Sequence, residues 1–561
     1  MHVVYSPSLP SLRRRPWPDL WRTGVILLTL ILALPVMTVL SYLLQPAGEV
    51  WAHLAQTVLQ DYVANSLLLM LGVGIGTLLL GLPAAWLCTM SEFPGRRLFE
   101  WALLLPMALP AYIIAYTYTG MLDVAGPVQT ALRGLFGWSY DDYWFPEVRS
   151  LGGAIVMLSL VLYPYVYLLA RAAFLEQSVS ALEVSRTLGA GAWRSFFRVA
   201  LPLARPAIIA GLSLALMETL ADYGTVQYFG VSTFTTGIFR TWFGLGDSAA
   251  AAQLSAVLMS LVFAVIVIER WSRRQARYHH TSSRHRPLPR YRLHGLTRWL
   301  AVLICALCVL LGFGLPALQL GYWAVLTADR MIDASFLRLA WHSLMLAASA
   351  ALITLGLALP MTYGKRLRPS PALEAAVRVA GMGYAIPGTV IAVGVMLPFG
   401  WVDNALDAWT RAHWGQSTGL LLSGTLVALL FAYAVRFLAA SLQAVEAGLS
   451  KIRPSMDNAA RSLGLRPGAV LRQVHMPLLR GTLLTALLLV FVDVLKELPA
   501  TLILRPFNFS TLAVRTYELA SAERLEDAAS AALAIVLAGM IPVILLSRSM
   551  TRPHASRDRT A

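Results

Sequence analysis

The chain of 561 residues is 57% hydrophobic and only 13% charged, with a mean hydropathy of +0.64. A water-soluble chain of this length needs far more charge to cover its surface, so composition excludes a soluble globular class and indicates an integral membrane protein. The net charge of +16 does not indicate a nucleic-acid partner, because the basic residues are spread over loop after loop instead of forming one patch.

In chain order, twelve apolar runs are long enough to cross a bilayer as helices. They lie at 22–45, 62–90, 101–121, 151–171, 206–228, 249–269, 299–325, 339–363, 375–398, 418–440, 481–503 and 526–547. The third and ninth carry interior prolines. The first follows Arg13, Arg14 and Arg15 but is too long for a signal peptide and lacks a small-residue cleavage site, so it is read as a retained span. With a cytoplasmic N-terminus, 34 Lys and Arg fall in inside segments and nine in outside ones, while Arg436 and Lys496 fall within spans. That asymmetry places both termini in the cytoplasm. Cys88, Cys305 and Cys308 all lie in apolar runs, and Cys305 and Cys308 have no metal-site or redox context, so they read as inert buried thiols.

The two halves repeat one another. Asn65-Ser66-Leu67, Pro83 and Ala108-Leu109-Pro110 match His342-Ser343-Leu344, Pro360 and Ala385-Ile386-Pro387 at a constant offset of 277 residues. Further on the offset is 275: Arg186-Thr187-Leu188-Gly189 meets Arg461-Ser462-Leu463-Gly464, and Pro202 meets Pro477. Phe234, Thr236, Arg240 and Thr241 meet Phe509, Thr511, Arg515 and Thr516 at the same offset. Chance likeness between apolar helices does not keep polar and proline positions in register over such a length. Six spans return the chain to its starting side, so the copies share one orientation and should pack about a pseudo-twofold axis normal to the membrane. The expected layout is a cytoplasmic segment 1–21, a six-helix unit 22–269, a linker 270–298, a second six-helix unit 299–547 and a tail 548–561. The linker holds nine arginines with His279, His280, His285 and His294, and reads as a flexible cytoplasmic anchor able to meet anionic lipid.

Two cytoplasmic stretches, 180–206 and 455–481, share a helix–glycine–helix pattern. Ser180 and Glu183 form a capping box before a helix at Ala181, and Ser455 holds the matching place with Asn458 for the acid. Gly189 and Gly464 fit a left-handed helix end, and Pro467 the first turn of a second short helix. Pro202 and Pro477 are expected to stop that second helix. An amphipathic interfacial element would look similar but would not recur between the same pair of spans.

These stretches resemble the EAA loops of binding-protein-dependent ABC importer permeases. The resemblance rests on Glu183, Gly189, Leu201 and Pro202 in the first copy, and on Ala459, Ala460, Gly464 and Pro477 in the second. Val184, Ser185, Asn458 and Met476 depart from the pattern. It implies a type I permease fold that is all α-helical, with twelve spans in two parallel six-helix repeats. It also implies coupling to a cytoplasmic ATPase dimer through Glu183, Arg186, Gly189, Pro202, Asn458, Arg461, Gly464 and Pro477. A periplasmic substrate-binding protein and a bacterial inner-membrane location go with it; no cofactor does. The segments 108–119, 151–178, 218–243 and 495–521 look like the fused permeases of ferric-iron importers, with thiamine and phosphonate permeases as relatives.

Glu218 and Asp222 lie four residues apart on the fifth span, and Asp493 and Glu497 hold the corresponding positions of the eleventh. Carboxylates within spans are expensive and point to the bundle interior, and hard oxygen donors suit ferric iron. Pairing with Lys496 or loop arginines is the competing structural role. An ion-coupled secondary transporter would also show repeats and carboxylates but gives no reason for the two elbows. Motifs of a membrane enzyme are absent, and Gly364-Lys365 is followed by Arg366 without the spacing of a phosphate-binding loop, so ATP hydrolysis is expected on another subunit.

Overall fold

A computed structural model describes residues 20–46, 48–176, 191–274 and 290–551. Eleven helical segments in it are long and apolar enough to cross a membrane: Trp21–Leu44, Leu59–Met90, Leu151–Leu175, Phe196–Ala221, Ser248–Ser272, Gly295–Met331, Ala334–Leu367, Gly388–Trp414, Leu426–Ser450, Pro467–Leu495 and Leu525–Leu545. A twelfth span exists only as a broken pair, Arg96–Ala108 and Ala111–Phe136, bent by 92°.

The break corrects the expected third span at 101–121. Pro110 has no amide to donate and clashes with a helical predecessor, so Leu109 is extended, with ψ 118°. Helix resumes at Ala111 and runs only to Leu122. The same local rule displaces the ninth span. Ile386 before Pro387 is extended, with ψ 130°, and the helix starts at Gly388 and continues to Trp414, whereas 375–398 was expected.

The first span reaches across to the other half and packs against the ninth and the helix Pro371–Ala380 that precedes it. Gly394 permits this crossing, since a side chain there would overlap the Pro35 carbonyl. The seventh span packs against the twelfth and against Ala111–Leu122 of the first half. Each half thus supplies a helix to the other, burying apolar surface that neither half covers alone. The end of the linker is ordered where an irregular segment was expected: Tyr291–Arg292 pair in parallel with Ser91–Glu92, and a helix starts at Gly295. Cys88, Cys305 and Cys308 are free and buried.

Candidate functional site

The second elbow lies within the described residues. Its first helix, Pro454–Ser462, is capped by the Arg453 backbone with Pro454 in the first turn, not by Ser455 as the pattern suggested. Gly464 then takes φ +84°, a conformation that a Cβ would penalise. A second helix begins at Pro467 and does not stop at Pro477. Instead a π-helical turn at Leu471–His475 carries it into Met476–Leu495, and Pro477 sits in that helix's first turn, where its missing amide leaves no bond unmade. Pro202 occupies the same place after the π-turn Phe196–Ala200. Glu183, Arg186 and Gly189 lie outside the described residues.

A polar cluster fixes the elbow to the spans. Asp457, buried in the first turn of its helix, accepts from Arg366 Nε at 2.9 Å and pairs with the His475 ring. Arg366 also donates to the Ile452 carbonyl at 2.8 Å and to that of Leu449, which close the end of the tenth span. The Tyr363 hydroxyl donates to the Pro467 carbonyl at 2.8 Å. The opposite face of the elbow is open: Asn458, Arg461 and Gly464 are exposed, and Leu463 is 83% exposed beside Met456 at 40%. The elbow therefore presents an apolar edge flanked by polar groups, held rigidly from behind.

The four span carboxylates converge. Glu218, Asp222, Asp493 and Glu497 all line one cavity of about 130 Å³ between the halves. Asp222 and Glu497, however, stand just beyond their helices, which end at Ala221 and Leu495, so neither shares a continuous helical face with its partner. Each caps the short helix that follows. Asp222 accepts from the amides of Thr225 and Val226 at 3.1 Å and from the Thr225 hydroxyl at 2.9 Å, ahead of Gly224–Tyr228. Glu497 accepts from the amides of Ala500 and Thr501 at 3.2 Å, ahead of Pro499–Leu504. Helix N-termini favour a negative group at this place.

Two cations enter the same cavity. Arg436 Nη1 lies 3.1 Å from Glu497, and Lys496 Nζ 2.9 Å from Asp493. Gly388 makes room for the first pair, since a methyl there would overlap both the guanidinium and the carboxylate. Tyr112, Tyr165 and Tyr384 add hydroxyls to the wall. None of these tyrosines stood out in the sequence. Arg436 did carry a signal, as an arginine inside a span, but its partner is 61 residues away, just beyond the end of the eleventh span.

Residues 77–278 match the family of the binding-protein-dependent transport system inner membrane component. A relative similar from end to end is the Fe(3+)-transport system permease protein FbpB 2 of Haemophilus influenzae, 26% identical over 540 residues, covering 95% of this chain and 98% of that one. The chain is similar to the binding-protein-dependent permeases. The permease is also 24% identical over 487 residues to the putative ferric transport system permease protein FbpB 1 of the same organism, covering 81% of this chain and 72% of the relative. The molybdenum transport system permease protein ModB of Escherichia coli is 28% identical over 230 residues, 39% of this chain and 97% of its own. Nearly the whole of that relative thus matches about two fifths of this chain, as expected of a fused duplicate. That likeness is to multi-pass transport permease subunits, not to enzymes, and to a family whose members imply an ATPase and a binding protein as partners.

Proposed function

We propose that this permease imports ferric iron, received outside the membrane from a binding protein and passed between the fifth and eleventh spans toward the cytoplasm. The observation that carries the reading is the cavity, where four carboxylates from symmetry-related positions meet two cations and leave a net negative, oxygen-lined space. Hard anionic oxygen is the donor set a trivalent cation prefers. The size agrees, since about 130 Å³ falls well below the roughly 300 Å³ at which sites for organic ligands begin. An oxyanion, such as the molybdenum relative suggests, would meet repulsion from unpaired carboxylate instead. The likeness to the two ferric permeases, end to end for the first, supports the same cargo.

The elbow serves, on this reading, as the input for ATP-driven motion. Leu463 and Met456 offer the apolar edge an ATPase cleft can grip, with Asn458, Arg461 and Gly464 around it. The Asp457–Arg366–His475 cluster then passes the force to the eighth, tenth and eleventh spans. Glu183, Arg186, Gly189 and Pro202 play the equivalent part in the first half. Both termini and the 270–298 linker are cytoplasmic in this arrangement, as the basic-residue distribution requires.

Uptake by cells whose only ferric importer is this complex tests the proposal. Converting Glu218, Asp222, Asp493 and Glu497 to amides should abolish iron uptake while the binding protein still stimulates ATP hydrolysis. Normal iron uptake by the assembled variant, or uptake of thiamine in place of iron by the wild type, would overturn it.

A further inference from the structure

Charge is divided unevenly across the cavity. Repeat-related positions line both sides, yet Arg436 and Lys496 of the second half correspond to Val161 and Ala221 of the first. On the second side each carboxylate has its own cation, Glu497 with Arg436 and Asp493 with Lys496. On the first side Asp222 is spent on the amides and hydroxyl it caps. Glu218 is the remaining one. Among the described residues no hydrogen bond or ion pair engages it, and it feels Arg436 and Lys496 only through longer-range attraction.

A second, independent feature marks the same side. The Tyr112 hydroxyl is buried at 6% exposure, lines the cavity and has no partner among the described residues. Tyr165 stands nearby and meets Tyr384 across the interface. Glu218 and Tyr112, neither with a hydrogen-bond partner among the described residues, make with Tyr165 a set of hard oxygen donors. Facing it, Lys496 closes the eleventh span and carries its ammonium on a flexible four-carbon stem, drawn by Asp493 and Glu218.

We infer that Glu218, with Tyr112 and Tyr165, is where the cation rests, and that Lys496 is a built-in competitor that drives it off. The inference depends on the ferric reading above and adds a division of labour to it. A cation held by Glu218 sits against the Lys496 ammonium, so the site binds weakly and empties quickly. An unopposed cage of four carboxylates would instead trap a trivalent ion. Asp493 positions Lys496, and its contribution to transport runs through that residue.

The test uses the full chain with its ATPase in lipid nanodiscs, loaded with radio-iron as ferric citrate, and follows both retention and cellular uptake. Lys496→Met should hold iron and release it about ten-fold more slowly or more, as expected when a like charge is removed from beside a bound ion at an effective dielectric of about 20. Uptake should fall in step, and Lys496→Arg should restore fast release. Asp493→Asn with Lys496→Met keeps the net charge of the cavity and removes the acid that Lys496 had paired; it should retain iron as the single variant does. It decides the matter if the single variant fails to assemble. Adding Glu218→Gln should abolish that retention. Release at the wild-type rate from assembled Lys496→Met, or retention that survives Glu218→Gln, would overturn the inference while leaving iron import intact. Binding of molybdate by the wild type that is lost in Lys496→Met would overturn it in favour of an anion role for the ammonium. A wild-type complex that imports no iron at all would sink the ferric reading itself, whatever position 496 does.

Discussion

Two equivalent corners of the permease end their spans with the same carboxylate cap and then part ways. At the first, Asp222 caps Gly224–Tyr228 with Ala111 and Val161 as neighbours; at the second, Glu497 caps Pro499–Leu504 with Gly388 and Arg436. The cap is a backbone necessity, because a helix starting inside a membrane protein has amides that water cannot reach. The neighbour is not. An arginine beside the second cap requires glycine at 388 to fit, whereas valine beside the first tolerates alanine. Duplication thus preserved what the chain needs in order to fold and let the charge balance of the cavity diverge.

The comparison predicts unequal costs. Glu497→Gln should be the most damaging change, since it leaves Arg436 buried without its counter-charge; breaking a pair of this kind costs about 3–5 kcal/mol. Thermal unfolding of the purified permease would register it, and a loss no larger than that of Asp222→Ala would break the argument. Gly388→Ala comes next, at about 1–3 kcal/mol for forcing a methyl into an occupied space. Pairing it with Arg436→Val transplants the first corner's solution and should recover most of the loss; no recovery would mean that glycine serves another purpose. Asp222→Ala removes only a cap, worth about 1 kcal/mol.

The smallest effect belongs to the far end of the halves. Glu523 takes φ 60° two residues before the helix Leu525–Thr551, as Gly246 takes φ 66° two residues before the helix Ser248–Arg274. Glutamate bears that strain while gripping Arg149 through both oxygens, at 2.7 and 2.8 Å. The guanidinium holds the Glu523 carboxyl below the usual glutamate range. A depressed folded value means that the stabilisation is complete above the unfolded value of about 4.3 and disappears as pH falls through the lower folded one. Wild type should lose its small advantage over Glu523→Gln on acidification, by at most about 1 kcal/mol because the pair is largely solvated. An advantage that grows toward low pH would contradict the pairing.

The sequence made the repeat legible because prolines and polar residues hold register where apolar residues drift. It also singled out the four carboxylates, since an acid in a span is conspicuous alone. What it hid were consequences of geometry between distant segments. Arg436 is visible as an oddity, but only packing brings it to Glu497, and only the broken third span brings Tyr112 to the cavity. Prolines misled in both directions. Pro110 and Pro387 broke or shifted helices expected to run through them, because their predecessors turn extended. Pro477 failed to stop a helix, because the turn before it widens and places it where no amide is needed. The Ser455 cap was displaced by two residues, to Arg453, once Pro454 took the first turn.

That widened turn has a consequence for the elbow as a lever. A π-turn holds one residue more than the α-turn it replaces, and each helical residue advances the azimuth by about 100°. The surplus residue within Leu471–His475 therefore sets the angle at which everything before it leaves the eleventh span, including the side of the helix on which Asp457 meets Arg366. The first half carries the same surplus at Phe196–Ala200. Deleting a single residue from either turn would yield a more regular helix whose lever arm points roughly a quarter-turn away from its socket.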